Sequence, residues 1–362
     1  MTAPRSVRRL VAAGVLACSL AACTDAPGTA PAEPVTTQPP ATATGGPTSR
    51  PAPEPPATIT LTVVGDLMLG RGVAAVHPDP TVTLRALAPM LRRADITVGT
   101  LESTLSTNGS PTQGGDSFAA DPGVLVGLAR SGFDALSLAN NHVGDYGDRA
   151  LLDTVRAFAG SGIRSFGAGR DLAGATRPAV VERDGVRVGL LGFNAIGEAP
   201  RAAPGTPGAL SVRMPPRTGP LQPADLAHVL AAVRRLDRRV DVVVVLPHWG
   251  TQYTHSPEPV QRHVGRRLVD VGADLVVGGH PHWVQSVERY DGATIAHSLG
   301  NAVFDMDFME QTMEGVALTA TITAGRVVDV GLAPYRMDAT FTPRLLRGPA
   351  ARAVLADVRS GG

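Results

Sequence analysis

Six apolar runs rich in β-branched residues mark the chain from residue 58 onward: 59–65 (ITLTVVG), 95–99, 133–138, 186–192 (VRVGLLG), 240–246 (VDVVVVL) and 273–278 (ADLVVG). They are continuous rather than alternating, the pattern of strands covered on both faces. Between them, Leu151, Leu152, Val155 and Phe158 recur at helical spacing, as do Leu226, Val229, Leu230, Val233 and Leu236, and Val260, Val264, Leu268 and Val271. Strands alternating with helices predict a layered α/β fold. Residues 283–297 and 315–333 read as later, hairpin-type strands. Hydrophobic residues make 43% of the 362, enough for a sizeable core, which excludes wholesale disorder and a small disulfide-stapled domain.

The polar residues just past the runs are more specific than the runs themselves. The first run ends in Gly65-Asp66, the second leads to Glu102, the third to Asn140-Asn141-His142, the fifth to His248 and the sixth to His280-Pro281-His282. In open α/β sheets the ligand crevice lies beyond the carboxyl ends of the strands. Two carboxylates, an amide and four imidazoles are therefore expected at one rim. Hard oxygen with imidazole nitrogen and no sulfur suits Mn, Fe or Zn. So many ligands exceed the needs of one ion, and a pair bridged by one carboxylate is the economical arrangement. His77, His228, His255, His263 and His297 lack this context and read as ordinary residues.

The N-terminus reads as an address. Arg5, Arg8 and Arg9 precede an apolar stretch, residues 10–22. That is too short to span a bilayer, which needs about 20 residues, and reads as a secretory signal. It ends in Leu20-Ala21-Ala22-Cys23, which resembles a bacterial lipobox, so Cys23 is the expected lipidation site. Residues 23–57 are rich in Pro, Thr and Ala without hydrophobic periodicity, the composition of a disordered tether. A domain is expected over 58–362, extracytoplasmic and lipid-anchored to the cell membrane. The only cysteines are Cys18 and Cys23, so this domain contains no disulfide and no thiolate ligand. The net charge is +1, from 33 basic and 32 acidic residues; there is no lysine, so every basic residue is an arginine. This balance, without a basic run, argues against nucleic acid as a partner.

Six segments carry a resemblance: GDLMLGR (65–71), TLESTLS (100–106), ANNHVGDYG (139–147), PHWGTQY (247–253), GGHPHWVQSVERYDG (278–292) and HSLGNAVFD (297–305). In this order they resemble the CapA family of poly-γ-glutamate capsule synthesis proteins, related to the calcineurin-like metallophosphoesterases. The resemblance implies a four-layer metallophosphoesterase-like β-sandwich flanked by helices. It implies one or two divalent ions held by Asp66, Glu102 (bridging), Asn141, His248, His280 and His282. It gives His142 a catalytic role with Asp145 orienting it, and places Arg71 and Asn301 against substrate. One departure bears on the second ion: where phosphoesterases carry a histidine two residues after the first aspartate, this chain has Met68, and a thioether is a poor ligand for a hard ion.

The sequence raises two functional expectations. One is a surface lipoprotein acting in synthesis, export or attachment of an anionic envelope polymer, alongside other capsule synthesis proteins. The other is a metal-dependent hydrolase of a phosphoester or γ-glutamyl bond. The absence of a GxxxxGK[ST] phosphate loop, and of lysine altogether, argues against an ATP-using ligase.

Overall fold

All six apolar runs form strands: Thr58–Leu67, Ile96–Leu101, Ala135–Ser137, Val186–Asn194, Val242–His248 and Leu275–Val277. The computed structural model describes residues 56–360. The expected signal peptide at 1–22, Cys23 and the tether up to residue 55 lie outside the described residues. No helix among the described residues is long and apolar enough to cross a membrane.

Two large sheets organise the chain. One has the order 343–345, 326–337, 314–323, 58–67, 96–101, 135–137, 164–166, with the short strand Asn301–Val303 also pairing to Thr58–Leu67. The other has the order 287–290, 293–296, 275–277, 242–248, 186–194, 179–183. The strands read from the apolar runs lie side by side and parallel within each sheet. Glu314–Thr323 joins the first group antiparallel and Ala293–Ala296 the second parallel, and each belongs to an expected hairpin, Glu314–Thr323 with Arg326–Met337 and Val287–Tyr290 with Ala293–Ala296.

Buried side chains divide into three clusters, and these define the layers. Ile59, Leu61, Val63 and Val98 of the first sheet meet Val188, Leu190, Val242 and Val244 of the second in a core between the sheets. Val64, Leu67 and Leu136, on the first sheet's other face, pack on Leu125 and Leu128 of helix Val124–Ser131 and Leu151 of helix Asp148–Ala157. Leu191, Val243 and Val245, on the outer face of the second sheet, pack on helices Pro223–Asp237 and Pro259–Asp270. The result is helix, sheet, sheet, helix. Continuous apolar runs are required because both faces of each central strand are covered.

Some elements gave little sequence signal. Strands Arg164–Phe166 and Ala179–Arg183 lie at the edges of their sheets and are only partly buried. Helix Gly348–Ser360 contributes only Val354 and Val358 to the inter-sheet core, one i,i+4 pair, which is too short a stripe to read as a helix from periodicity.

Candidate metal centre

Parallel pairing brings the carboxyl ends of the central strands to one rim. Asp66 pairs with Thr100 and Thr100 with Ser137, while His248 aligns with Asn194 in the second sheet. Asp66 lies at the end of Thr58–Leu67, Glu102 directly follows Ile96–Leu101, and His248 is the last residue of its strand. The turn after Leu275–Val277 joins the sheets: the His280 N–H donates to Asp66 Oδ2 at 2.9 Å. Gly279 makes that approach possible, since a Cβ there would lie 2.4 Å from Asp66 Oδ1. His280 and His282 take φ of +92° and +56° on either side of Pro281. Non-glycine residues seldom adopt this left-handed region, and such strain gathers at functional sites.

Asp66, Glu102, His248, His280 and His282 are all at most 1% exposed. Ligand atoms of Glu102, His248 and His280 lie within 4.8 Å of one another, as do those of Asp66, Glu102 and His282. Glu102 belongs to both groups. His248 Nε2 is 3.4 Å from Glu102 Oε1, and His248 Nδ1 is 4.0 Å from Asp66 Oδ1. Buried polar atoms ordinarily have partners. Here Asp66 Oδ1, both oxygens of Glu102, His248 Nδ1 and both nitrogens of His280 have none. Oxygen and imidazole donors, converging, buried and unpartnered, fit a divalent ion.

Burial pushes the Asp66 carboxyl up, to about 7, and the neighbouring Glu102 charge adds to the rise. Burial also opposes ionisation of Glu102, but His248, His282 and His142 around it outweigh that and hold it low. Burial and the surrounding imidazoles push His280 well below the usual histidine range, and burial lowers His282. Neutral His280 and His282 beside an ionised Glu102 suit a cation, whereas Asp66, raised by burial, and His248, raised against its burial by Glu102 and Asp66, must each give up a proton to ligate one.

The supporting residues fix the orientation of these groups. His282 Nδ1 lies 2.9 Å from Asn301 Oδ1, and Asn301 Nδ2 donates to the Thr312 carbonyl. Asn301 is therefore buried behind His282, with both ends of its amide engaged. Asn141 Oδ1 is 2.9 Å from His248 Nε2, and its Nδ2 donates to Glu198 Oε2. His142 faces the same centre, with Nε2 3.8 Å from Glu102 Oε1 and Nδ1 2.7 Å from Asp145 Oδ2. Phe118 stacks on the His142 ring at 3.8 Å and donates its N–H to Asp145 Oδ2. Arg71 covers the other face of this stack, 4.3 Å above the Phe118 ring, and pairs with Asp305. Met68 sits in the apolar core on the helix side of the first sheet, and its sulfur accepts the Gly70 N–H.

Glu198, Phe118, Tyr253 and Asp305 are not legible as site residues in the sequence. Tyr253 stacks on His282 at 6.2 Å. Glu198 has a usable signal: run 186–192 is the one with no polar rim residue assigned to it, and Asn194 and Glu198 come after it.

Capsule biosynthesis protein CapA of Bacillus anthracis is 32% identical over 254 residues, covering 68% of this chain and 60% of its own. PGA biosynthesis protein CapA of Bacillus subtilis is 31% identical over 253 residues, covering 68% and 63%. The chain thus spans under two thirds of the length of these two relatives. A probable polyglutamine synthesis accessory protein of Mycobacterium tuberculosis is 28% identical over 332 residues, covering 78% and 86%. Among solved structures, a putative 5'-nucleotidase from Staphylococcus aureus is similar with a TM-score of 0.48 at 16% identity, over 83% of this chain and 58% of that one. The family model described as bacterial capsule synthesis protein PGA_cap matches residues 60–306, a span holding every residue of the metal centre, and the chain belongs to that family.

Proposed function

We propose that this is an extracytoplasmic protein, lipid-anchored through Cys23, that acts in synthesis, export or attachment of an anionic capsule polymer such as poly-γ-glutamate. It acts through one or two divalent ions (Mn, Fe or Zn) held by Asp66, Glu102, Asn141, His248, His280 and His282. The observation that carries the metal site is Glu102: fully buried, with neither oxygen hydrogen-bonded, and common to both ligand groups. These features support the reading of Glu102 as the carboxylate that would be shared by the two ions. Met68, packed in the core, leaves the second ion with fewer ligands. The polymer role is supported by the family and by the names of the relatives; the anchor is supported by the Leu20-Ala21-Ala22-Cys23 sequence.

A second reading, hydrolysis of a phosphoester or γ-glutamyl bond, is favoured by the His142–Asp145 pair. A divalent ion held at this rim supplies Lewis-acid polarisation of an ester or amide and acidifies water. Asp145 accepts from His142 Nδ1, which leaves Nε2 facing the centre; once Nε2 has taken up a proton, the doubly protonated ring can hand that proton to a leaving group. Phe118 and Arg71 hold the ring in place.

The test is metal analysis of the full-length protein together with fractionation of cells. Mn, Fe or Zn should co-purify with the wild type and be lost from Glu102→Ala. Cys23→Ser should move the chain from the membrane fraction to the soluble fraction or medium, since lipoprotein modification supplies more than one acyl chain and a single one binds only marginally. A metal-free wild type over a range of added divalent ions would end the metal reading. A Cys23→Ser protein still bound to membranes after a salt wash would end the anchor reading.

A further inference from the structure

Away from the metal centre, three adjoining cavities run along the sandwich edge where both sheets end. The first, of about 730 Å³, is lined by Arg156, Arg170, Arg177 and Asp171. The second, of about 670 Å³, shares Asp171 and Arg177 and adds Arg235. The third, of about 280 Å³, shares Arg235 and adds Arg238 and Arg239. Short helix Leu172–Thr176, which links the edge strand of one sheet to that of the other, forms part of the wall.

The charge of this groove is not that of the molecule. From residue 56 onward the chain carries 29 arginines and 29 acids, yet the groove gathers six arginines and one acid. That acid is engaged, since Asp171 accepts the Gly174 N–H at 2.7 Å and lies 3.5 Å from Arg170. Arg156 pairs with Asp153, with its side chain 68% exposed. Arg177, Arg235, Arg238 and Arg239 are exposed, with no acidic partner at ion-pair distance among the described residues. Arg235, Arg238 and Arg239 stand at the end of helix Pro223–Asp237, where the helix dipole favours cations. The dipole does not account for Arg156, Arg170 and Arg177, which converge from other elements.

We propose that this groove binds a polycarboxylate chain, giving an anionic polymer a holding site apart from the metal centre; the identity of that polymer rests on the capsule role proposed for the protein. A guanidinium presents a planar fork of donors matched to a carboxylate. One exposed contact of this kind is weak, but a row of them engaging successive carboxylates of one chain gains from effective concentration. The concave form, with aliphatic walls from Leu152, Val155 and Ala173, admits a flexible chain and not a flat lipid surface. None of the large apolar side chains exposed elsewhere, Phe308 and Met309 among them, lines it, so membrane insertion has no foothold there. The segment from Glu198 to Ala209 links the two places: Glu198 accepts from Asn141 at the centre, and Pro204 and Gly205 line the groove.

The test uses full-length protein in detergent and labelled poly-γ-glutamate at low salt, read by fluorescence anisotropy. Arg177→Gln/Arg235→Gln/Arg238→Gln should weaken binding about tenfold or more, with melting temperature and metal content unchanged. The same three positions changed to Lys should restore most of it. Free glutamate should bind far more weakly, and salt should weaken polymer binding through screening. Unchanged binding by the triple Gln variant overturns the groove. So does binding lost in His280→Ala and retained in the triple variant, which would put the polymer at the metal centre. Binding of anionic phospholipid vesicles, but not polymer, through these arginines overturns it in favour of a membrane contact. A wild type without metal whose polymer binding still depends on the three arginines would end the metal reading and leave the groove standing.

Discussion

A partner on one nitrogen of an imidazole fixes the ring and its tautomer so that the other can ligate, and Asn301 supplies that partner to His282. Its Oδ1 lies 2.9 Å from His282 Nδ1, while the Thr312 carbonyl fixes its own orientation, so Nε2 is left as the ligand atom. Loss of such a support costs about 10–100-fold in metal affinity. An ion at about 100 times its dissociation constant adds about 2.7 kcal/mol to stability. At the same ion concentration Asn301→Ala should keep about 0.4–1.4 kcal/mol of this, seen as a smaller metal-induced rise in melting temperature. An undiminished rise would remove Asn301 from this role. His142 is a different case, because its Nδ1 partner is Asp145 and the ring stacks on Phe118. If the site hydrolyses its substrate, His142→Ala should keep its metal and lose turnover by about 10²–10⁴. Undiminished turnover would leave His142 only a structural part.

At the scale of elements, the turn after Leu275–Val277 is the tightest-built piece of the site. It pairs with the end of the neighbouring strand through Gly279, whose N–H donates to the Pro247 carbonyl and whose carbonyl accepts the Trp249 N–H. It also touches the other sheet through Asp66. Gly279→Ala would drive a methyl group to 2.4 Å from a fully buried carboxylate oxygen. Overpacking of this kind costs typically about 1–3 kcal/mol, and here it also displaces a ligand. The variant should melt lower than wild type without metal, and the gap should widen when metal is added. Equal melting in both states would mean that Asp66 moves aside freely.

At the scale of the molecule, pH acts on stability through buried groups outside the centre as well as within it. His297 is fully buried against Trp249, with neither ring nitrogen hydrogen-bonded. Burial pushes its pKa down, from 6.5 to about 4, although Glu288 at 3.8 Å works against this. Between these two values the unfolded chain binds a proton that the folded chain refuses. Stability from this group is therefore complete above pH 6.5 and is lost as pH falls toward 4. His297→Gln should flatten the decline of unfolding free energy over that window relative to wild type, measured by denaturant titration at each pH. Parallel curves would mean that His297 does not drive the acid loss.

The local pattern of the sequence determined the strands and the rim. A run of Val, Leu and Ile is apolar whatever surrounds it, so its burial on both faces and the polar residue at its end are legible without coordinates. Asp66, Glu102, Asn141, His142, His248, His280 and His282 are found in that way. Tertiary structure alone decided which of them meet. That Glu102 serves two ligand groups, that Asn301 stands behind His282, and that Glu198 joins through Asn141 are contacts between residues 19 to 216 positions apart, which no period in the chain encodes. His297 shows the same limit: in the sequence it is one more histidine, and only packing against Trp249 makes it a buried neutral base. The arginine groove is the extreme case. Its members come from separate segments between residues 156 and 239 of an electrically balanced chain. Charge segregation on a surface is a property of how elements are placed, not of their order.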